Sequence, residues 1–351
     1  MRRRSRSVVA GFLAALLLAG LGVSSVAHAE SLPKLGTALS ETSVSGLSSG
    51  AYMAGQLQLA HAENIVGAGI VAGGPFACAE STTSRVFPFW PTAVTQNAAR
   101  ALYSCMGTSM GVPEPEDLVA RAQELAADGD IAPLSALQDH TVYLYSGNDD
   151  QTVTRPVVQA AKRFYDLAGV GLGNVTLVEG AGGHAFITEE GGAACGLSEE
   201  PFVSDCDYDQ ARAILGWIYG PLEPASAEPE GEFLVFDQQV FAEPGDGFAD
   251  KGVVYIPPAC RSEPGCRVHV ALHGCRQSRE TVGDSFIRET GFAPIADTNH
   301  LVILFPQISA SAFNPEGCWD WWGYTGLDYL GKDAPQIAAL WAMVERLAEQ
   351  E

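Results

Sequence analysis

The sequence predicts an α/β fold, with one domain built on a mostly parallel sheet that helices cover. Strand-like and helix-like segments alternate along most of the chain, as in βαβ units. The segment Leu301–Phe305 is apolar at every position, which is typical of a strand buried on both faces. A length of 351 residues allows one large domain or two smaller ones, and the order of the chemical motifs favours one.

The first half of the chain is predicted to contain a helix and a strand, an insertion, and then regular alternation. Residues 51–64 suit a helix and 65–72 a buried strand. Residues 74–140 hold aromatics, two cysteines and an acidic helical stretch at 114–127, but no clear strand, so we interpret them as an insertion over the functional site. The predicted elements that follow are a strand at 141–145, a helix at 155–168, a strand at 174–178 and a helix at 210–219.

The second half begins after residues 221–231, whose prolines, small residues and charges indicate a solvated connection. This connection marks a domain boundary unless the two halves complete one sheet. Strand-like segments follow at 233–241, 253–256 and 267–272. The last helix has Asp333 as its predicted N-cap and Pro335 in its first turn.

The first 29 residues have the pattern of a secretory signal peptide. Four arginines precede an apolar run from Val8 to Leu21, and the small residues before Ala29 suit cleavage there. A retained membrane anchor is the alternative, but the run is short for a span. Cleavage would change the net charge from −22 to −26, because the leader contains four arginines and no acidic residue. Such a charge argues against binding to nucleic acid or anionic lipid. We expect a secreted, extracellular protein, with the periplasm as the alternative compartment.

The eight cysteines all lie beyond the leader, and an even number in an exported chain predicts disulfides. Eight cysteines allow 105 pairings, so the sequence does not decide among them. Proximity along the chain favours Cys78 with Cys105, Cys195 with Cys206 and Cys260 with Cys266, which leaves Cys275 with Cys318. Zinc binding is the alternative, but no CxxC pair or HExxH helix is present. We expect no metal and no cofactor.

Ser48 is the candidate nucleophile, because it lies in Gly46-Leu-Ser-Ser-Gly50 between glycines at two-residue spacing. Small neighbours relieve the crowding in a strained strand-to-helix turn, and the following helix N-terminus offers backbone N–H groups to an oxyanion. A plain glycine–serine turn is the alternative. Ser45 and Ser49 lack the two flanking glycines.

A serine nucleophile needs a histidine base and a carboxylate that holds it. His184 lies in a glycine-rich loop after the strand at 174–178, where such a base is expected. His140 and His300 directly precede strands and are predicted to be surface residues. Asp149 and Asp150 both follow the strand at 141–145, and the spacing G-x-x-D-x-x-V favours Asp150. Either could instead form a turn.

His273-Gly-Cys275 follows the strand at 267–272 and could supply the second half of an oxyanion hole. We expect the amides of Ser49 and Cys275 to be the two donors. In an α/β-hydrolase this turn precedes the nucleophile along the chain, whereas here it comes last. The order predicts a circularly permuted serine hydrolase, in which residues 221–231 join what would ordinarily be the two chain ends.

An aromatic cluster near the C-terminus is a candidate substrate-binding loop. Core packing is the ordinary explanation for tryptophan, but three of the six tryptophans fall within four positions, next to a cysteine and a glycine. Such a loop could present ring faces to an apolar ligand. Its candidate residues are Trp319, Trp321, Trp322 and Tyr324.

Five motifs together identify a resemblance that spans nearly all of the chain beyond the leader. They are GLSSGAYM at 46–53, SGNDDQTV at 146–153, GHAF at 183–186, HGCRQS at 273–278 and NPEGCWDWWGY at 314–324. The set resembles the secreted poly(3-hydroxybutyrate) depolymerases whose lipase-like box lies near the N-terminus. The resemblance implies a circularly permuted α/β-hydrolase fold, Ser48, Asp150 and His184 as catalytic triad, and the Cys275 region at the oxyanion hole. It also implies a crevice for a short-chain polyester, with tryptophans near the bound chain.

The predicted function is hydrolysis of the ester bonds of poly(3-hydroxybutyrate) or its oligomers by a monomeric enzyme. Many relatives carry a linker and a polymer-binding domain after the catalytic domain, and this sequence stops at Glu351 without them. Soluble oligomers are therefore an alternative to solid polymer. A secreted feruloyl or acetyl esterase would share the serine chemistry, and a non-catalytic binding protein with a relic triad is the alternative from another class.

Overall fold

The computed structural model describes residues 30–350, so the predicted leader lies outside the described residues. Eleven strands occur there: β1 Thr42–Leu47, β2 Ile65–Val71, β3 Thr141–Gly147, β4 Val175–Gly180, β5 Phe186–Thr188, β6 Ala193–Ala194, β7 Val203–Asp205, β8 Glu232–Asp237, β9 Lys251–Ile256, β10 Arg267–Leu272 and β11 Leu301–Phe305. Eight of them form one sheet in the order β4-β3-β2-β1-β10-β11-β9-β8, and β5, β7 and β6 form a small second sheet.

The described helices connect and cover these strands. They are α1 Ser49–Ala60, α2 Thr82–Val86, α3 Trp90–Ser104, α4 Pro115–Asp128, α5 Arg155–Ala168, α6 Gln210–Tyr219, α7 Pro258–Ser262, α8 Arg279–Val282, α9 Ser285–Glu289, α10 Phe292–Asn299 and α11 Pro335–Ala348. Within residues 30–350, no helix combines the length and apolar character needed to cross a bilayer.

The circular permutation is visible in the pairing of β1. This first strand lies in the middle of the large sheet, parallel to β2 on one side and to β10 on the other. Six neighbouring strands pair in parallel, and the two pairings at one edge, β11 with β9 and β9 with β8, are antiparallel. The 221–231 connection leads from α6 to β8 at that edge. The two halves of the chain therefore complete one mostly parallel α/β sheet, as predicted.

The helix after β1 is buried along its whole length rather than on one face. All twelve residues of α1 are buried, because it packs between the sheet and α11. Its small residues make this close packing feasible. Its two glutamines are buried as well: Gln56 donates to the carbonyls of Asp320 and Tyr329, and Gln58 donates to His140. The helix places its N-terminus directly beneath the carboxyl ends of β1 and β10.

Most predicted elements are confirmed, and three local predictions are corrected. The N-cap of α11 is Ala334, not Asp333, because the chain enters the helix one residue later, with Pro335 as its first residue. His140 is buried, not at the surface: its Nε2 lies 2.9 Å from the Ala62 carbonyl and its Nδ1 accepts from Gln58. The strand predicted at 233–241 ends at Asp237 and continues as a 3₁₀ turn.

Four disulfides confirm the pairing that chain proximity favours. They join Cys78 to Cys105, Cys195 to Cys206, Cys260 to Cys266 and Cys275 to Cys318. The first closes the insertion between β2 and β3, and the last ties the turn after β10 to the tryptophan-rich loop. The loop closed by Cys195–Cys206 contains the cavity residues Ser198 and Phe202, so three of the four disulfides hold segments that lie around the candidate site.

Candidate active site

The candidate site lies at the carboxyl ends of neighbouring parallel strands, where α/β sheets commonly bind ligands. Ser48 follows β1, Asp150 follows β3, His184 follows β4 and Cys275 follows β10. The strand order brings these four strand ends to one edge of the sheet. Four residues spread over 228 positions of the chain are thereby gathered around one cavity, with Asp150 directly behind His184.

Ser48 has the strained backbone expected of a nucleophile turn. Its φ is 57° and its ψ is −119°, a conformation that residues other than glycine rarely adopt. The glycines on either side allow a close approach. A Cβ on Gly46 would lie 2.3 Å from the Gly50 carbonyl, and a Cβ on Gly50 would lie 2.4 Å from the Leu272 carbonyl. Both glycines are therefore required by packing, and they bring α1 against the end of β10.

Asp150 and His184 form a directed hydrogen-bonded pair. His184 Nδ1 lies 2.8 Å from Asp150 Oδ2, and both side chains are buried. The other carboxylate oxygen accepts N–H bonds from Thr152 at 2.7 Å and Val153 at 3.0 Å. The competing candidate Asp149 is exposed. A carboxylate held in this way fixes the histidine with Nε2 available as a base.

Ser48 and His184 line the same cavity. No hydrogen bond joins the Ser48 hydroxyl to the His184 ring in the described part of the chain, and such contacts in serine hydrolases often tighten only when substrate binds. The backbone N–H of His184 donates to Ser198 Oγ at 2.7 Å, and Ser198 lines the same cavity. Residues 30–350 contain no group of three or more His, Cys, Asp or Glu residues arranged to hold a metal ion.

The amides of Ser49 and Cys275 are both available to a ligand. Ser49 is the first residue of α1, where backbone N–H groups have no partner within the helix. Among the described residues, no protein group accepts a hydrogen bond from either amide. β1 and β10 are paired up to Gly46 and Leu272, so the two turns that carry these amides leave the sheet side by side.

The cavity has a volume of about 420 Å³ and mostly apolar walls. The predicted insertion forms one wall with Ala98, Ala101, Leu102 and Met106. Another part of the wall comes from residues 313–322 and includes Trp321 and Trp322. Tyr52, four residues after Ser48, stacks on Trp321 with ring centroids 4.0 Å apart. The insertion therefore covers the site, as the sequence predicts.

The other two aromatic candidates are packed behind this wall rather than on it. Trp319 is completely buried against His273 and Phe248. Tyr324 is buried and donates its hydroxyl hydrogen to the Cys318 carbonyl at 2.8 Å. The structure therefore brings Trp321 and Trp322 to the cavity and leaves Trp319 and Tyr324 as support.

The tryptophan loop is shaped by a buried carboxylate that sequence analysis missed. Asp320 accepts backbone N–H bonds from Trp322, Gly323, Tyr324 and Thr325, and a hydroxyl bond from Thr325. Burial raises the pKa of Asp320, and the bonds from Thr325, Gly323 and Tyr324 act in the opposite direction. A single aspartate between tryptophans gives no sequence signal for this role, because its partners are backbone groups.

The mouth of the cavity carries charges of both signs. Arg276 lies 3.5 Å from Glu316 and 3.8 Å from Glu200, and its guanidinium stacks over Phe202. Arg276, Glu316 and Phe202 line the cavity. Because these side chains are about half exposed, solvent screens their attraction. The mouth thus carries one arginine and two glutamates, and the chain as a whole is strongly acidic.

Comparisons with known proteins agree on one family, although no profile of a protein family matches the chain. The chain is 38% identical over 348 residues to a poly(3-hydroxybutyrate) depolymerase of Delftia acidovorans, covering 98% of this chain and 66% of the relative. It is 34% identical over 354 residues to a polyhydroxybutyrate depolymerase of Talaromyces funiculosus, covering 94% and 96%. The chain thus spans about two thirds of the bacterial relative and nearly all of the fungal one.

Two solved structures have the same architecture. One is a PHB depolymerase with a serine-to-alanine substitution, complexed with an R3HB trimer, and its TM-score is 0.80. The other is the PHB depolymerase from Penicillium funiculosum, with a TM-score of 0.79. Each is 32% identical, covers 91% of this chain and is itself covered completely.

Proposed function

This chain belongs to the polyhydroxybutyrate depolymerase family of serine ester hydrolases, and from that premise we propose that it hydrolyses the ester bonds of poly(3-hydroxybutyrate) or its oligomers. The observation that carries the proposal is the Asp150–His184 hydrogen bond behind a cavity that also contains the Ser48 turn. No cofactor enters the mechanism. A feruloyl or acetyl esterase would need the same chemistry, but the relatives found are depolymerases.

In the proposed mechanism, Ser48 is the nucleophile, His184 the base and Asp150 the residue that orients the base. His184 Nε2 takes the Ser48 hydroxyl proton as the oxygen attacks the ester carbonyl. The negative charge that develops on the carbonyl oxygen is stabilised by the amides of Ser49 and Cys275. The alcohol leaves with the proton from His184 and an acyl-enzyme remains. Water, deprotonated by His184, then releases the 3-hydroxy acid.

The cavity walls support a short-chain polyester as the substrate. Trp321, Trp322, Leu102 and Met106 offer apolar contact to a chain whose only polar groups are esters and its two ends. Arg276, the arginine at the mouth, lies between Glu200 and Glu316 and so offers no unpaired positive charge to an anionic ligand. We assign Trp321 and Trp322 to substrate binding, with Trp319 and Tyr324 in support.

An exposed apolar surface favours adsorption to solid polymer as well. Among the described residues, the segment 86–110 and Phe313 supply seven large exposed hydrophobic side chains, which we call the apolar rim. Six lie between 86 and 110, and the seventh, Phe313, contacts Trp90 edge to face at 5.7 Å. Leu102 and Phe313 also line the cavity, which connects the rim to the site. Its members are Val86, Phe87, Phe89, Leu102, Tyr103, Met110 and Phe313. Exposed apolar patches commonly mark interaction surfaces.

We further propose that the protein acts outside the cytoplasm as a monomer, without a nucleic-acid or membrane partner after signal cleavage. Four disulfides support an oxidising compartment. The net charge of −22 supports the absence of nucleic-acid binding.

The decisive experiment measures soluble 3-hydroxybutyrate products released from amorphous polyester granules, with a soluble short-chain ester in parallel. Ser48→Ala is the matched variant. We expect both activities in the parent and neither in the variant, because loss of a triad nucleophile costs about a million-fold in a measured serine protease. Ser48→Ala activity within about tenfold of the parent would refute the triad.

Activity confined to the soluble ester would keep the triad and exclude solid polymer. Preference for esters derived from xylan would instead support the feruloyl or acetyl esterase. A folded parent that neither hydrolyses any ester nor reacts with a fluorophosphonate probe would support the non-catalytic binding protein.

A further inference from the structure

The side chain of His273 is buried directly beside the proposed oxyanion turn. Its Nδ1 lies 2.7 Å from the carbonyl oxygen of Gly274, and its Nε2 lies 3.1 Å from the backbone nitrogen of Ile308. Ile308 offers only an N–H at that position, so Nε2 is the acceptor. The ring is therefore neutral, carries its hydrogen on Nδ1 and donates it to Gly274. The surroundings fix this tautomer.

This hydrogen bond determines how the next peptide unit is oriented. The Gly274 carbonyl and the Cys275 N–H belong to one planar trans peptide, in which the two groups point in opposite directions. A carbonyl held against the His273 ring turns the Cys275 N–H to the other side. Cys275 lines the cavity, whereas His273 is completely buried. A rotated peptide would instead present a carbonyl oxygen to the substrate, and that oxygen would repel an oxyanion.

Gln277 holds the other end of the same turn. Its Oε1 accepts the Gly274 N–H at 2.7 Å, and its Nε2 donates to the carbonyls of Pro201 and Phe202 at 3.0 and 2.9 Å. Both polar groups of Gly274 are thus bound by buried side chains. Because Phe202 lines the cavity, Gln277 also joins the oxyanion turn to the mouth of the site.

We propose that His273 is a positioning residue whose Nδ1–H holds the Gly274–Cys275 peptide in the orientation that stabilises the oxyanion. The inference rests on the proposed function, since it concerns the same ester hydrolysis. His273 touches neither substrate nor reacting atoms. The hydrogen bond from His273 helps to stabilise the transition state and not the bound substrate. Loss of this side chain therefore lowers kcat and leaves KM nearly unchanged.

The test compares His273→Leu, His273→Asn and His273→Gln on a soluble short-chain ester. An asparagine amide nitrogen occupies about the place of Nδ1 and keeps the bond to Gly274, whereas a glutamine amide extends to the place of Nε2. We expect His273→Leu and His273→Gln to lose about 100-fold in kcat, as when one oxyanion donor is removed. His273→Asn should retain activity within about tenfold of the parent, a smaller loss than removal of a donor causes.

His140→Leu is the matched control for loss of a buried histidine. His140 also has both ring nitrogens in hydrogen bonds, and it lies away from the cavity. It should lose stability without losing kcat. A second readout is inhibition by a trifluoromethyl ketone, which forms a tetrahedral adduct with a serine nucleophile. Its inhibition constant should rise across the His273 variants in proportion to the loss in kcat/KM.

The inference is overturned if folded His273→Leu matches His140→Leu in kcat. If His273→Leu does not fold, equal kcat values for the Asn and Gln variants at similar melting temperatures overturn it. Ser48→Ala distinguishes failure of this inference from failure of the proposed function. If Ser48→Ala is inactive while His273→Leu remains active, only the proposed role of His273 is refuted. An active Ser48→Ala removes the proposed function itself.

Discussion

His184 Nδ1 lies 2.8 Å from Asp150 Oδ2, while the backbone of Thr152 and Val153 holds the other oxygen of Asp150. Both oxygens of Asp150 are therefore occupied before any substrate binds. Asp150→Asn keeps the size of the side chain but can turn its amide N–H toward His184, which favours the wrong tautomer. We expect kcat to fall by about 10⁴, as in a serine protease with the same change. Exposed Asp149→Asn is the matched control, and equal losses in the two variants would contradict the assignment.

Gly50 should not tolerate a methyl group. A Cβ there would lie 2.4 Å from the Leu272 carbonyl and 2.5 Å from the His273 carbonyl, and both are backbone atoms that cannot rotate away. We expect Gly50→Ala to lower the free energy of unfolding by about 1–3 kcal/mol and to reduce kcat by displacing the oxyanion turn. Thermal unfolding and ester hydrolysis measure the two effects. Gly326→Ala meets no atom within 4 Å and should change neither.

The Cys275–Cys318 disulfide should matter for activity as well as for stability. It joins the oxyanion turn to the tryptophan loop, whereas Cys260–Cys266 closes a short segment away from the cavity. Replacement of either pair by alanines should destabilise the fold by about 2–5 kcal/mol. Only the Cys275→Ala/Cys318→Ala variant should also lose kcat, by roughly 10- to 100-fold, because a small displacement of catalytic groups is costly. Similar kcat values in the two double variants would argue against this positioning role.

Buried His269 should make the fold sensitive to acid. Its ring lies between the hydroxyls of Ser43 and Ser45, and burial lowers its pKa to about 3. Below about pH 6.5 the unfolded chain takes up a proton on this residue, whereas the folded protein does so only near pH 3. The free energy of unfolding therefore falls as the pH drops through this window, by about 1.4 kcal/mol per pH unit for one proton.

Urea unfolding at several pH values between 6 and 4 would test this slope. His269→Asn should be less stable at neutral pH, because the ring bonds to serine are lost, but its stability should depend less on pH. Exposed His300→Asn should keep the slope of the parent. An unchanged slope in His269→Asn would show that other groups cause the acid sensitivity.

The apolar rim should be needed for polymer but not for small esters. Phe87 and Phe89 are about 70% exposed and do not line the cavity. We expect Phe87→Ser/Phe89→Ser to reduce adsorption and clearing of granules by about tenfold or more. The reason is that two aromatic side chains that would be buried against the polymer are lost. Hydrolysis of the soluble ester should stay unchanged. Leu172→Ser, at an exposed position outside the rim, is the control, and equal clearing by both variants would exclude the rim as the adsorption surface.

The sequence predicts those parts of the molecule that local chemistry determines. The Ser48 turn needs nearby glycines, and Asp150 and His184 each follow a strand whose apolar run is visible. The disulfide pairing follows from short separations in three of the four cases. Trp321 and Trp322 lie on the cavity wall as the clustering of aromatics suggests, although their two neighbours point into the core.

The remainder depends on contacts between distant residues, which no local pattern records. His140 is buried because Gln58 and Ala62, about eighty positions earlier, supply its hydrogen bonds. Asp320 accepts hydrogen bonds from backbone N–H groups. Because nearly every residue has such a group, the sequence gives no signal for these partners. The small sheet of β5, β7 and β6 consists of strands of two or three residues, too short for a period of alternation to appear.

The central position of β1 has a consequence for the order in which the parts of the candidate active site are assembled. Ser43 and Ser45 contact His269 across 226 and 224 residues, so β1 pairs with a strand that is made much later. Contacts between such distant residues slow folding. A nascent chain that already contains Ser48, Asp150 and His184 still lacks the turn at Cys275. The proposed oxyanion hole is therefore complete only after β10 has been made and has paired with β1.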